Sequence, residues 1–205
     1  MNKNQNKLDE IFSESKSAAQ YSEKYSKYLC ELLTKLDHKK VGQIIDAFIE
    51  AEKNHKFIYF IGNGGSAATS THFACDLGKG TKNSNHKFRT QGLADNLSTF
   101  TAYANDDGYD YVFSKQLENI LNSGDIVVSI SASGNSQNLI NAINYAKTVG
   151  AKTISLLGFD GGKMKAISDI SLVIETRKGE YGPVEDIHMV LDHLMTTYIY
   201  RQLTK

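Results

Sequence analysis

Proline is nearly absent: Pro183 is the only one in 205 residues, which excludes a proline-rich linker or tail. Cysteine is almost as scarce. Cys30 and Cys75 stand alone, without the CxxC or finger spacing of a metal site, and two reduced, buried thiols in a cytoplasmic protein are expected. Neither sign of charge is in excess, since 23 Lys and Arg balance 23 Asp and Glu. With no net charge and no long basic run, no general field draws the chain to nucleic acid or to an anionic membrane. No run of roughly 18 apolar residues exists, so no membrane-spanning helix is expected. Residues 1–7 are polar and lack the apolar core of a signal peptide, which again fits the cytoplasm.

What is present is a soluble, globular composition, 40% hydrophobic and 22% charged, in a length that favours one domain over 1–205. Residues 1–55 read as leading helices and 56–205 as an α/β core. Apolar residues recur at helical spacings over 8–35, predicting one long helix. They recur again from Val41 to Ala51, predicting a second that starts near Asp37 and ends near Asn54. The first of these is expected to dock on another subunit, because a detached helix gains most from such a partner. Strands are predicted over 57–61, 88–93, 126–130, 153–157 and 170–174. Helices are predicted over 67–77, 97–104, 111–121, 139–149 and 163–167, with a last one from just after Pro183 to about residue 202. A polar connection spans 79–87. Strand and helix alternate throughout, which means a doubly wound α/β fold with a largely parallel, five-stranded sheet flanked by helices.

Two strand-to-helix junctions carry chemistry. The first is Gly62-Asn63-Gly64-Gly65-Ser66-Ala67-Ala68, where glycines allow a tight turn and Ser66 adds a hydroxyl beside the free N–H groups of a helix start. The second is Ser131-Ala132-Ser133-Gly134-Asn135-Ser136, with three hydroxyls around a turning glycine and no lysine. Serines are also ordinary turn and cap residues, so either loop alone is ambiguous. Two such loops at strand ends of one sheet point to a phosphate. Further on, His72 and Asp76 lie four apart on one helix face. Glu185 and His193 lie eight apart on the last helix, about two turns and roughly 80° around the axis. Imidazole and carboxylate groups on two helices suit zinc or another divalent ion, although at such spacing they more often form a hydrogen-bonded or solvated face.

In its order of motifs the chain resembles the sugar isomerase (SIS) phosphosugar-binding family, and within it the phosphoheptose isomerases. The resemblance rests on two leading helices, both serine loops, His72-Phe73-Ala74 with Asp76-Leu77, Ala104-Asn105-Asp106, Gly161-Gly162-Lys163-Met164, and Glu185-Asp186-Ile187-His188 through His193. It implies an aldose–ketose isomerase acting on sedoheptulose 7-phosphate for bacterial surface-glycan synthesis. Ser66, Ser131, Ser133 and Ser136, with Gly64, Gly65 and Ala132 beside them, would then hold the phosphate. Asn63, Asp106 and Glu185 would line the sugar. One Zn²⁺ per subunit would be held by His72, Asp76, Glu185 and His193, with Asp76 and His193 moving protons. The family also implies a homotetramer with active sites between subunits.

Three positions depart from the family pattern. Asp76 stands where glutamate is usual, Glu185 where glutamine is usual, and Gly80 where an arginine is usual. Two carboxylates and two neutral imidazoles would balance a divalent ion. A different sugar phosphate, or a non-catalytic SIS scaffold of the replication-initiator-associating type, are the alternative readings. His188, at helical spacing from Glu185 and Asp192, is open between a structural role, a third imidazole and support of a ligand. His38, His55 and His86 read as surface residues, and Tyr181-Gly182-Pro183 as a candidate pocket mouth.

Overall fold

A computed structural model describes residues 6–80 and 85–204. Five strands form one sheet in the order β2-β1-β3-β4-β5: β1 (Phe57–Gly62), β2 (Arg89–Gly92), β3 (Ile126–Ser131), β4 (Lys152–Phe159) and β5 (Ile170–Glu175). Every pairing is parallel. A strand buried on both faces needs apolar residues at successive positions, and β3 is buried at every one of its six residues. Side chains alternate across the sheet. Ile58, Phe60, Val128, Ile130 and Leu156 therefore join one core, and Tyr59, Ile61, Val127 and Leu157 the other.

The first core packs against α1 (Lys7–Ser13), α2 (Ala18–Thr34), α3 (His38–Lys53), α4 (Gly65–Gly80) and α9 (Tyr181–Leu203). The second packs against α5 (Leu97–Asp106), α6 (Val112–Ile120), α7 (Gln137–Val149) and α8 (Met164–Ile167), with a 3-10 turn at Tyr109–Tyr111 leading into α6. Gly150 closes α7 in the left-handed conformation, as its position predicts.

Several expectations are corrected. The single helix over 8–35 is two. Glu14 ends α1, and extended Ser17 starts α2 by accepting a hydrogen bond from the Gln20 amide at 3.3 Å. The break lets Ile11 turn into the core alongside Tyr28 and Leu32. Most of α2 outside Tyr28 and Leu32 is not buried, but one face of the first helical segment packs on its own chain. Its anchor is buried Glu180, which accepts from the Lys7 amide and the Tyr28 hydroxyl, both at 2.5 Å. The last helix starts at Tyr181, two residues before Pro183. That is permitted because the amides of a first turn have no carbonyl partner for proline to remove.

Both cysteines are exposed, not buried. His86 is no bare surface residue: its Nδ1 lies 2.9 Å from Oε2 of Glu52, a carboxylate that is itself buried. The 79–87 connection falls partly outside the described residues, and its first two residues close α4.

Candidate active site

Strand order reverses between β2-β1 and β1-β3, so the crevice beyond the carboxyl ends of β1 and β3 is the topological switch point of the sheet. Both serine loops lie there. Gly62 has no room for a side chain, since a Cβ would stand 2.5 Å from the Ser66 carbonyl oxygen, and Gly64 has φ +56°. Chain and helix start can approach so closely only with glycine. In the second loop Gly134, at φ +61°, would place a Cβ 2.0 Å from the Gly161 carbonyl oxygen. That loop is locked against the glycine pair after β4: the Met164 amide donates to the Gly134 carbonyl at 3.0 Å and the Lys163 amide to Asn135 Oδ1 at 3.1 Å. The Gly161–Met164 motif therefore serves as the wall that shapes the serine loop.

Together the loops enclose a cavity of about 210 Å³ lined by Asn63, Ser66, Ser131, Ser133, Ser136 and Glu185, with Ala132 and Tyr181. Four hydroxyls face a space bounded by the first turns of α4 and α7, where unpaired amides favour an anion. Glu185 leans over α4: its Oε2 is 2.4 Å from where a Gly65 Cβ would be. Asn63 is held by a reciprocal amide pair with Asn138, at 3.0 and 2.9 Å, and its Oδ1 also accepts from Tyr109 Oη at 2.7 Å. Asp106 does not reach this cavity. It is exposed at the end of α5, accepting from the Asn105 amide at 2.8 Å. Tyr109 and Asn138 escape a reading of the motifs, because an aromatic in a turn and an asparagine in a helix carry no signature of their own.

A second group of polar side chains forms where α4 and α9 pack side by side. Phe73 and Leu77 point α4 into the core, which turns His72 and Asp76 toward α9. His72 Nε2 lies 3.4 Å from Asp76 Oδ2 and 3.4 Å from His193 Nε2, and His193 Nε2 lies 3.9 Å from Asp76 Oδ2. Three of the four sequence-predicted ligands therefore converge. Glu185 is absent from the group, and Asp192 takes part instead: one ligand atom each from His72, Asp76, Asp192 and His193 lie within 4.8 Å of one another. Asp192 is fully buried, and neither of its oxygens has a hydrogen-bond partner among the described residues. Burial, aided by the facing Asp76 carboxylate, pushes it up to about 7. One turn earlier, His188 is also fully buried. Burial pushes its imidazole down to about 4 against the opposing pull of the Leu157 carbonyl, so it sits neutral in the core.

The family model for the SIS domain matches residues 20–158. A phosphoheptose isomerase of Aliarcobacter butzleri is 39% identical over 156 residues, covering 76% of this chain and 82% of that protein. This chain belongs to the SIS domain family, among the phosphoheptose isomerases. A second relative of that name, from Helicobacter pylori, is 38% identical over 159 residues, covering 78% of this chain and 82% of its own length. The solved phosphoheptose isomerase of Neisseria gonorrhoeae shares the fold at a TM-score of 0.75 and 31% identity, over 89% of this chain and 95% of that one. Among the phosphoheptose isomerases, then, this chain presents a hydroxyl-lined cavity at the starts of α4, α7 and α9 and a histidine–carboxylate group further along α4 and α9.

Proposed function

We propose that this chain is an aldose–ketose isomerase that converts D-sedoheptulose 7-phosphate to D-glycero-D-manno-heptose 7-phosphate for bacterial surface-glycan synthesis. One observation carries the reading. The helices that leave the cavity, α4 from Ser66 and α9 from Tyr181, run on to bear the His72, Asp76 and His193 side chains. Glu185 and His193 are eight residues apart, roughly 12 Å along the helix, a separation suited to the two ends of a long sugar phosphate.

In this reading Ser66, Ser131, Ser133 and Ser136 grip the phosphate through hydroxyls and helix amides, with Gly64, Gly65 and Ala132 giving backbone access. Asn63 and Glu185 meet sugar hydroxyls, while Asp106, at the end of α5 and outside the cavity, takes no part in this subunit's grip. At the far end Asp76 takes a proton from C1 of the ketose and returns it to C2 of the enediol. His193 passes the hydroxyl proton from O1 to O2. The convergence of two Nε2 atoms and a carboxylate oxygen, with a buried carboxylate lacking any partner, fits a divalent cation, and we assign zinc. Bound there, the ion would polarise the sugar oxygens as charge develops on them.

The protein is further proposed to be a cytoplasmic homotetramer of one-domain subunits. Among the described residues no helix is long and apolar enough to cross a membrane. Purified protein supplied with zinc and sedoheptulose 7-phosphate is expected to give heptose 7-phosphate by NMR. Solvent deuterium is expected to enter at C2 in the fraction of turnovers in which the proton on Asp76 exchanges before its return. Absence of turnover, with turnover of another ketose phosphate, would move the assignment to that sugar. Absence of turnover on every sugar phosphate and of any bound metal would favour the scaffold.

A further inference from the structure

The ligand set that the family pattern suggests does not match where the side chains stand. Glu185 reaches over Gly65 into the cavity wall, two turns from His193, while Asp192 lies among the imidazoles. Asp192 is the residue that needs an explanation. It occupies the buried stripe of α9, between Leu191 and Met195, where a helix would ordinarily carry an apolar side chain. Both its oxygens are without a hydrogen-bond partner among the described residues, lysine and arginine included. A buried carboxyl group left without a partner is unfavourable whether it stays charged or takes up a proton. A cation held between it and His72, Asp76 and His193 would remove that cost.

We propose that Asp192, in place of Glu185, is the fourth protein ligand of the metal, and that Glu185 is left to bind substrate. The inference rests on the metal-dependent isomerase reading for its setting, but its test does not depend on the sugar. With Asp192 the ligand set holds two carboxylates and two neutral imidazoles, which is neutral with a divalent ion. If Glu185 also joined it, a third carboxylate would leave the site negative. The split also separates the two jobs along α9, with Glu185 near the phosphate and Asp192 and His193 at the reacting carbons. Asp192 sits beside His193 in sequence, so an ion shared by both ties the proposed proton carrier's imidazole to a carboxylate that is already fixed by the core.

The test is metal affinity, read by chelator competition and by the visible spectrum of the Co²⁺-loaded protein. Asp192→Asn, which keeps the shape, is expected to weaken Zn²⁺ and Co²⁺ binding at least a hundredfold and to change the cobalt spectrum. Glu185→Gln is expected to keep stoichiometric metal with an unchanged spectrum and to raise KM for the sugar phosphate. Retention of wild-type metal affinity by Asp192→Asn, or loss of metal from Glu185→Gln, would overturn the assignment. Should Asp192→Asn fail to fold, the Glu185→Gln arm and the spectrum of Asp192→Glu decide alone: the longer carboxylate must keep the metal with a shifted spectrum. A wild-type protein that binds metal but leaves sedoheptulose 7-phosphate unchanged fails the function assignment only; one that binds no metal fails this one.

Discussion

At Gly134 a single hydrogen atom in place of a side chain decides whether the serine loop can exist. Its φ of +61° is available to other residues at a cost of about 1 kcal/mol, but a Cβ there would also stand 2.0 Å from the Gly161 carbonyl oxygen. Gly64 offers the control, with φ +56° and nothing within 4 Å of its Cβ position. Gly64→Ala is therefore expected to lower the urea-unfolding free energy by about 1 kcal/mol, and Gly134→Ala by more than about 3 kcal/mol. Equal effects would mean that the two glycine loops do not interlock. His188 makes a second prediction. Its folded pKa, about 4, is below the ordinary value of 6.5, so the unfolded chain binds the proton first as pH falls. The stability of the neutral, buried ring is complete above pH 6.5 and is lost between 6.5 and 4. Asp192, pushed up to about 7, works in the opposite direction, so wild-type stability alone would mix the two. The difference between metal-free wild type and metal-free His188→Gln cancels Asp192. Wild type is expected to lose about 3 kcal/mol relative to the variant across that window, at 1.36 kcal/mol per pKa unit. A flat difference would show the ring to be solvated. Both residues are partly legible in the sequence. His188 and Asp192 fall on the apolar stripe of α9, and a charged residue at a core position is itself a signal. The family motif draws attention to Glu185 instead, because spacing on a helix says which face a residue shares but not which neighbour its side chain meets.

Elements explain what the periodicity could and could not predict. Strands β1 and β3, and with them both serine loops, follow from apolar runs ending in glycine and serine, since that pattern reflects burial on both faces of a parallel sheet. Edge strand β2, by contrast, is buried only at Gly92 and is marked mainly by its apolar flanks Phe88 and Leu93. The break between α1 and α2 was not legible, because Ser15 and Ser17 interrupt neither the charge pattern nor the spacing of apolar residues. What enforces it is tertiary: buried Glu180, 152 residues away from Tyr28, draws the Lys7 amide and the Tyr28 hydroxyl onto one carboxylate. Glu180 also accepts from the Arg177 amide at 3.3 Å, so it fixes the start of α9 and the leading helices at once. Tyr28→Phe removes one donor and leaves a buried carboxylate short. It is expected to cost about 1–3 kcal/mol, and to increase amide exchange across α1 more than across β3. Uniform exchange changes would show that the leading helices do not open separately. Because α9 begins at this anchor, the same variant is expected to raise KM through Tyr181 and Glu185 with little change in metal content.

For the molecule as a whole, the remaining question is the open side of the histidine group. Val190, Leu194 and Tyr198 recur every four residues along α9, and all three are exposed apolar or aromatic side chains. His193 shares that side of the helix and is 54% exposed at its side chain, whereas Asp192 behind it is fully buried. A histidine–carboxylate group with one wet edge beside an uncovered apolar stripe is incomplete for the proposed chemistry, since proton transfer to an enediol needs water kept out. Burying the stripe against a second copy would close that edge, which makes association and chemistry one event. Leu194→Glu puts a charge in the stripe without touching a proposed ligand. If the proposed tetramer forms through this stripe, the variant is expected to shift the protein to a smaller species by sedimentation velocity and to weaken association by more than about 2 kcal/mol, over tenfold. kcat is then expected to fall with the assembled fraction and to recover at high protein concentration. A wild-type protein that sediments as a monomer at full activity would place the closing wall within the chain itself.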